Sequence, residues 1–128
     1  MVRFLCICLA GALGTGTRYL VNLWAASRFG PGFPFGTLIV NVGGCFAMGL
    51  ITQIALHALN MSPTLRLALT TGFLGGLTTY SSFNQETTQL VLQASTRRVG
   101  LVNLGVTFAA CFVAGLLGWA AGRRLAGE

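Results

Sequence analysis

Four apolar stretches, at about 4–26, 36–58, 65–94 and 99–122, are each long enough to cross a bilayer, and the chain holds little else. A helix needs roughly 20 apolar residues to traverse the hydrocarbon core. The loops left over are too short to build a second domain. Composition agrees: 54% of the 128 residues are hydrophobic and 8% are charged, against about 25% charged in an ordinary soluble domain. The sequence therefore predicts an all-α membrane protein with a single transmembrane domain over residues 1–128. The first stretch has the look of a secretory leader, but with Met1 at the head of the chain it is expected to remain as a span.

The loops are punctuated by turn formers. Phe29-Gly30-Pro31-Gly32-Phe33-Pro34-Phe35-Gly36 combines Gly and Pro with aromatics of the kind that collect at membrane interfaces. Asn60-Met61-Ser62-Pro63 closes the second span, and Pro63 suits a helix start. Ala94-Ser95-Thr96-Arg97-Arg98 joins the third span to the fourth.

Net charge is +6, carried entirely by arginine. The arginines are scattered, without the aromatic-interleaved patch of a nucleic-acid surface, so nucleic acid is set aside. In a four-span chain Arg3, Arg66, Arg123 and Arg124 lie on one side. Arg28, Arg97 and Arg98 lie on the other, with Arg18 if it belongs to that interface. Orientation normally follows an excess of basic residues in cytoplasmic loops, and none survives here. Insertion in both orientations, and with it an antiparallel dimer, is one reading of that balance; too few charges to judge is the other. Two inverted copies would reproduce the inverted repeat of larger transporters.

The four cysteines, Cys6, Cys8, Cys45 and Cys111, all sit in apolar runs, which favours small buried hydrophobes over disulfide or metal roles. Small residues form stripes that suit close helix packing in lipid: Ala110, Ala114, Gly118 and Gly122, then Asn103, Thr107, Cys111 and Gly115, and on the second span Asn41, Cys45, Gly49 and Gln53. Gly11 and Gly14-Thr15-Gly16 thin the first helix. Asn41 and Asn103 need partners inside a membrane, either another helix or a wet path.

The third span is the anomaly. After Leu74 come Gly75-Gly76-Leu77-Thr78-Thr79-Tyr80-Ser81-Ser82-Phe83, then Asn84, Gln85 and Glu86. Gly-Gly invites departure from helical geometry, and Ser82-Phe83-Asn84-Gln85 fits a capping box that starts a new helix. Helix, break, helix is the simplest parse. Broken backbone at membrane depth is tolerated only inside protein or beside a water-filled cavity. Carbonyls released at the end of the first half-helix suit a small hard cation. A packed kink rescued by Thr and Ser hydroxyls is the plainer alternative, but the polar turns from Ser81 to Gln89 must face other helices or water. Glu86, the lone acid within a span, is a functional candidate. Arg18 either partners it or snorkels to the interface.

The run from Gly75 to Phe83, followed by Glu86, resembles the GGxTTFSTFxxE signature of the Fluc/CrcB family of fluoride channels. Gly11-x-x-Gly14 leading to Arg18 resembles that family's first-span motif, and Phe35-Gly36-Thr37-Leu38-x-x-Asn41-x-x-Gly44 its second-span motif. The resemblance implies a passive fluoride channel rather than an enzyme. It would be a multi-pass protein of the inner (plasma) membrane that exports fluoride to limit its toxicity. It implies a broken third helix and an antiparallel, dual-topology homodimer with two pores. A central structural sodium ion (Na+) would be held there by backbone carbonyls corresponding to Gly75 and Thr78. It assigns Tyr80, Phe83 and Asn41 to the pore wall, and more weakly Ser81 or Ser82 and Thr107 to a hydroxyl track. Tyr80 departs from the family's usual Phe, which adds a phenolic hydroxyl. A proton-coupled small multidrug exporter fits worse, because the first span holds no acid. A purely structural membrane subunit leaves the polar break unexplained.

Overall fold

The computed structural model describes residues 1–57 and 61–127. The expected end of the second span at residue 58, Asn60 of the turn that follows, and the terminal Glu128 lie outside the described residues. Among the described residues all regular structure is helical. Helix α1 covers Val2–Phe29 and α2 covers Phe35–His57. Next comes a composite segment of α3 (Pro63–Leu67), a π-helical stretch (Ala68–Leu74), α4 (Gly75–Leu77), the extended residues Thr78 and Thr79, and α5 (Tyr80–Leu92). Helix α6, Arg97–Leu125, completes the chain.

Among the described residues three helices, α1, α2 and α6, are long and apolar enough to cross a membrane. The predicted third stretch is not one helix, because Thr78 and Thr79 are extended between α4 and α5. Its two local signals act elsewhere than the sequence implies. Gly75 and Gly76 are helical, and the chain leaves helical geometry at Thr78 and Thr79. The cap of α5 is Thr79, whose hydroxyl accepts from the Ser82 N–H at 3.1 Å, so Ser82 is inside the helix rather than its start. Gly76 answers to packing instead, since a Cβ there would collide with the Gly11 carbonyl of α1.

Residue-to-residue contacts define an up-down-up-down bundle. Asn22 of α1 packs on Gly36 of α2, so these two run antiparallel. Alpha-2 meets the composite segment through Thr37 with Glu86 and Asn41 with Thr79, again antiparallel. Alpha-5 meets α6 through Thr87 with Asn103, and through Val91 with Gly100. Parallel pairs then touch backbone to backbone. In α1, Gly14 faces Phe73 and Ile7 faces Gly72; in α2 and α6, Phe46 faces Gly118 and Leu50 faces Gly122. Such approaches need glycine, and they replace the hydrophobic drive that lipid does not supply.

The distribution of side chains is the reverse of a soluble protein. Leu9, Leu13, Leu20, Phe108, Phe112 and Leu117 point outward, whereas Thr37, Asn41, Gln53, Thr87, Asn103 and Thr107 are buried. Asn103 donates to the Thr87 hydroxyl at 2.7 Å and accepts from Thr107 at 3.2 Å, joining α5 to α6. The ends are closed locally. Ser62 accepts from the Leu65 N–H at 3.1 Å with Pro63 at the first helical position. Gly30, at φ 77°, ends α1. Around that turn Trp24, Phe29, Phe33 and Phe35 form an aromatic cluster with ring centroids 4.8–5.7 Å apart.

Replacing Gly76 by Val is expected to destabilise the bundle by about 1–3 kcal/mol through overpacking against Gly11. Gly16→Ala, where the added methyl meets no atom beyond its own helix backbone within 4 Å, is expected to hold or raise stability, by up to about 1 kcal/mol through helix propensity. Thermal unfolding in detergent micelles reads both, and equal midpoints for the two variants contradict the packing role of Gly76.

Candidate functional site

Thr78 and Thr79 are extended and sit between helices in the interior, where unpaired peptide groups are not tolerated. Asn41 supplies the missing partner. Its Nδ2 donates to the Thr79 carbonyl at 3.0 Å, and the Thr79 N–H donates to its Oδ1 at 2.7 Å. A carboxamide has the donor and acceptor of a peptide group, so one side chain satisfies both backbone groups of one residue. The flanking residues on the same face of α2 complete the seat. Thr37 donates to Glu86 Oε1 at 2.8 Å, and the absence of a side chain at Gly44 admits the Thr78 methyl. Positions 37, 41 and 44 follow helical spacing, one face turned to one segment.

The same clamp changes the end of α4. An unbroken helix would send the Thr79 N–H to the Gly75 carbonyl, and here it goes to Asn41. The Thr78 N–H and hydroxyl both donate to the Leu74 carbonyl, each at 3.0 Å. Gly75 thus ends the helix with a carbonyl from which the expected donor has been drawn away.

An open cleft of about 810 Å³ lies beside this seat. Asn41, Thr78, Thr79, Tyr80 and Phe83 form one wall, and Thr107 and Phe108 of α6 form part of the other. Tyr80 and Phe83 are one turn apart on α5, with ring centroids at 5.9 Å and planes at 56°. Phe83 is 9% exposed and Tyr80 is 78% exposed, so the second ring stands clear of the subunit. Thr107 lines the cleft, but its proton goes to Asn103. Ser81 and Ser82 are not on the wall; they gather on the Thr79 hydroxyl, at 3.3 and 3.0 Å.

A second cavity, of about 420 Å³, opens at the other end of α5. Asn22, Thr37, Glu86, Gln89 and Gln93 give it a polar lining. Glu86 Oε2 is buried with no hydrogen-bond partner among the described residues. Arg18 does not pair with it; the contact of Glu86 is Thr37. Sequence reasoning left Thr79 and Thr37 without roles of their own and overlooked Asn22. The helical spacing of Thr37 with Asn41 and Gly44 was a signal for Thr37. Nothing local marks Asn22, which joins the cavity only through the α1–α2 contact.

Fold and site together define a multi-pass helical membrane protein whose largely apolar cleft is organised around two extended residues. The chain belongs to the CrcB-like protein family (described as CrcB-like protein, Camphor Resistance), whose profile matches residues 5–119. It is 49% identical over 125 residues to a protein of Sorangium cellulosum named fluoride-specific ion channel FluC, covering 98% of both chains. A protein of the same name from Anaeromyxobacter sp. is 46% identical over 127 residues, covering 99% of this chain and all of the relative. One from Citrifermentans bemidjiense is 41% identical over 125 residues, covering 98% and 100%.

Asn41→Leu is expected to strand the Thr79 N–H and C=O and to lower stability by about 2–4 kcal/mol. Faster hydrogen exchange at the Thr79 amide is the site-specific sign. An unchanged exchange rate there rules out the clamp.

Proposed function

We propose that the chain is a fluoride-selective channel, not an enzyme, that lets fluoride leave the cytoplasm passively across the inner (plasma) membrane. The observation that carries this reading is a coincidence of place. Relatives matched along nearly the whole chain are named fluoride-specific channels, and Asn41, Tyr80, Phe83 and Thr107 meet on one cleft.

Each of these groups has something to offer an anion. The Asn41 amide spends one of its two N–H groups on Thr79, leaving a second for the cleft. The rings of Tyr80 and Phe83 carry electropositive edges. Thr107 holds its proton to Asn103, so it serves an anion directly only by releasing that bond. Ser82 accepts from Thr79 and keeps its own proton, which makes it the better candidate of the two serines for a hydroxyl track. The polar cavity at Glu86, with Thr37 between it and Asn41, is the natural vestibule, and Arg18 remains a structural or vestibule residue.

In this reading the composite segment is the third crossing of a single channel domain over residues 1–128, broken at Thr78 and Thr79. Two copies insert in opposite directions and pair as an antiparallel homodimer. The balanced arginines and the outstanding Tyr80 ring support that assembly, because a second copy would cover the ring. The Gly75 and Thr78 carbonyls fit a structural sodium ion between the subunits: a hard cation takes oxygen ligands, and the Gly75 carbonyl has lost its helical donor. When bound, the ion supplies charge that ties the two breaks together. No step of permeation passes through it.

Fluoride efflux from liposomes, with chloride as the control anion, tests the reading. Fluoride-only efflux is expected, and equal passage of both anions, or of neither, defeats it. Phe83→Ile should cut fluoride flux by about tenfold, the effect of losing one ring-edge interaction. Tyr80→Phe should conserve flux, and the dimer should persist in both variants. Exchange of sodium for N-methylglucamine should lower the thermal midpoint of the dimer. An unchanged midpoint removes the carbonyls of Gly75 and Thr78 from cation binding.

A further inference from the structure

The cleft holds a second set of side chains that the proposed anion path does not use. Cys45 of α2 and Cys111 of α6 both line it, one helical turn beyond Asn41 and Thr107, and Met48 lies on the same wall. The two helices run parallel and nearly touch here. A Cβ on Gly49 would come within 2.5 Å of the Gly115 carbonyl, and one on Gly115 within 3.9 Å of the Cys45 carbonyl. That approach brings together the faces of α2 and α6 that carry the two thiols, and both open on the one cleft. Both are free cysteines.

As packing elements alone, two small hydrophobes would serve in their place. Two thiols and a thioether opening on one cleft are instead a soft donor set. Such ligands select soft cations, with copper(I) the biological example, over sodium, magnesium or calcium. We propose that Cys45 and Cys111, with Met48 beside them, form a binding site for a soft, thiol-seeking monovalent cation of the copper(I) and silver(I) class. Two-coordination by thiolates is enough for such an ion, so a third acidic or histidine ligand is not required. Binding releases both thiol protons: one cation and two thiols give an anionic dithiolate complex and two protons. A negative complex one turn from Asn41 then opposes an anion in the cleft. The binding stands on the thiol geometry alone; its effect on flux rests on the channel reading.

The test uses the purified full-length protein in chloride-free detergent buffer, titrated with silver nitrate. Native mass spectrometry should find one tightly held silver ion per chain. Maleimide labelling should show Cys45 and Cys111 protected while Cys6 and Cys8 still react, a readout that needs no variant. Cys45→Ser or Cys111→Ser should weaken silver binding by roughly tenfold or more. Retention of silver by the double serine variant, or protection falling on Cys6 and Cys8, overturns the site. In liposomes silver should lower fluoride efflux of the natural chain and spare the double variant. Unchanged efflux with silver bound overturns its placement on the anion path. Silver binding in a protein that passes no fluoride upholds the site and sinks the channel reading alone.

Discussion

The pairing of Asn41 with both backbone groups of Thr79 is the contact on which the rest of the site is built, because backbone that leaves helical geometry between packed helices needs a partner for each of its peptide groups. One carboxamide does the work of a neighbouring strand, over the length of a single residue. The consequences spread in both directions along the chain. Upstream, the Thr79 N–H is withdrawn from Gly75, and α4 ends with an exposed acceptor. Downstream, the Thr79 hydroxyl caps α5 and collects Ser81 and Ser82. The first turn of α5 therefore leaves the clamp in a set direction, and Tyr80 and Phe83 fall on the cleft.

The bundle can hold that seat because its interior is polar and its glycines are placed at backbone crossings. Leucine and phenylalanine cover the outside, where lipid solvates them as well as another helix would. Inside, Asn103 bridges Thr87 and Thr107, so hydrogen bonds join α5 to α6 beside the apolar packing of Val91 on Gly100. Gly14, Gly72, Gly76, Gly118 and Gly122 admit neighbouring backbone where a methyl would collide or crowd. Alpha-2 is the hub, since it carries Asn41 on one side and meets α6 along Phe46, Gly49 and Leu50.

Cleft and cavity open on different parts of α5. Tyr80 and Phe83 face the cleft, and Glu86, Gln89 and Gln93 face the cavity. The bond from Thr37 to Glu86 and the clamp at Asn41 lie between the two spaces, both presented by α2. A single helix face thus borders both spaces. Cys45 continues that face of α2 one turn further along, across the cleft from Cys111 of α6.

The sequence by itself determined the helical class, the stretches that became α1, α2 and α6, and the location of the anomaly between Leu74 and Glu86. Those follow from hydrophobic length and local polarity, which neighbours in the chain suffice to define. It also marked Asn41 and Asn103 as needing partners, since the penalty for a lone amide in an apolar span is local. What it did not contain was the choice of partner. The break fell at Thr78 and Thr79 rather than at Gly75-Gly76, because a distant amide reached Thr79 and a distant backbone required Gly76 to stay small. The same holds for Thr37 with Glu86, Asn22 with Gly36, and Cys45 with Cys111. Each pairing depends on the way two helices cross, and only the tertiary structure decides that.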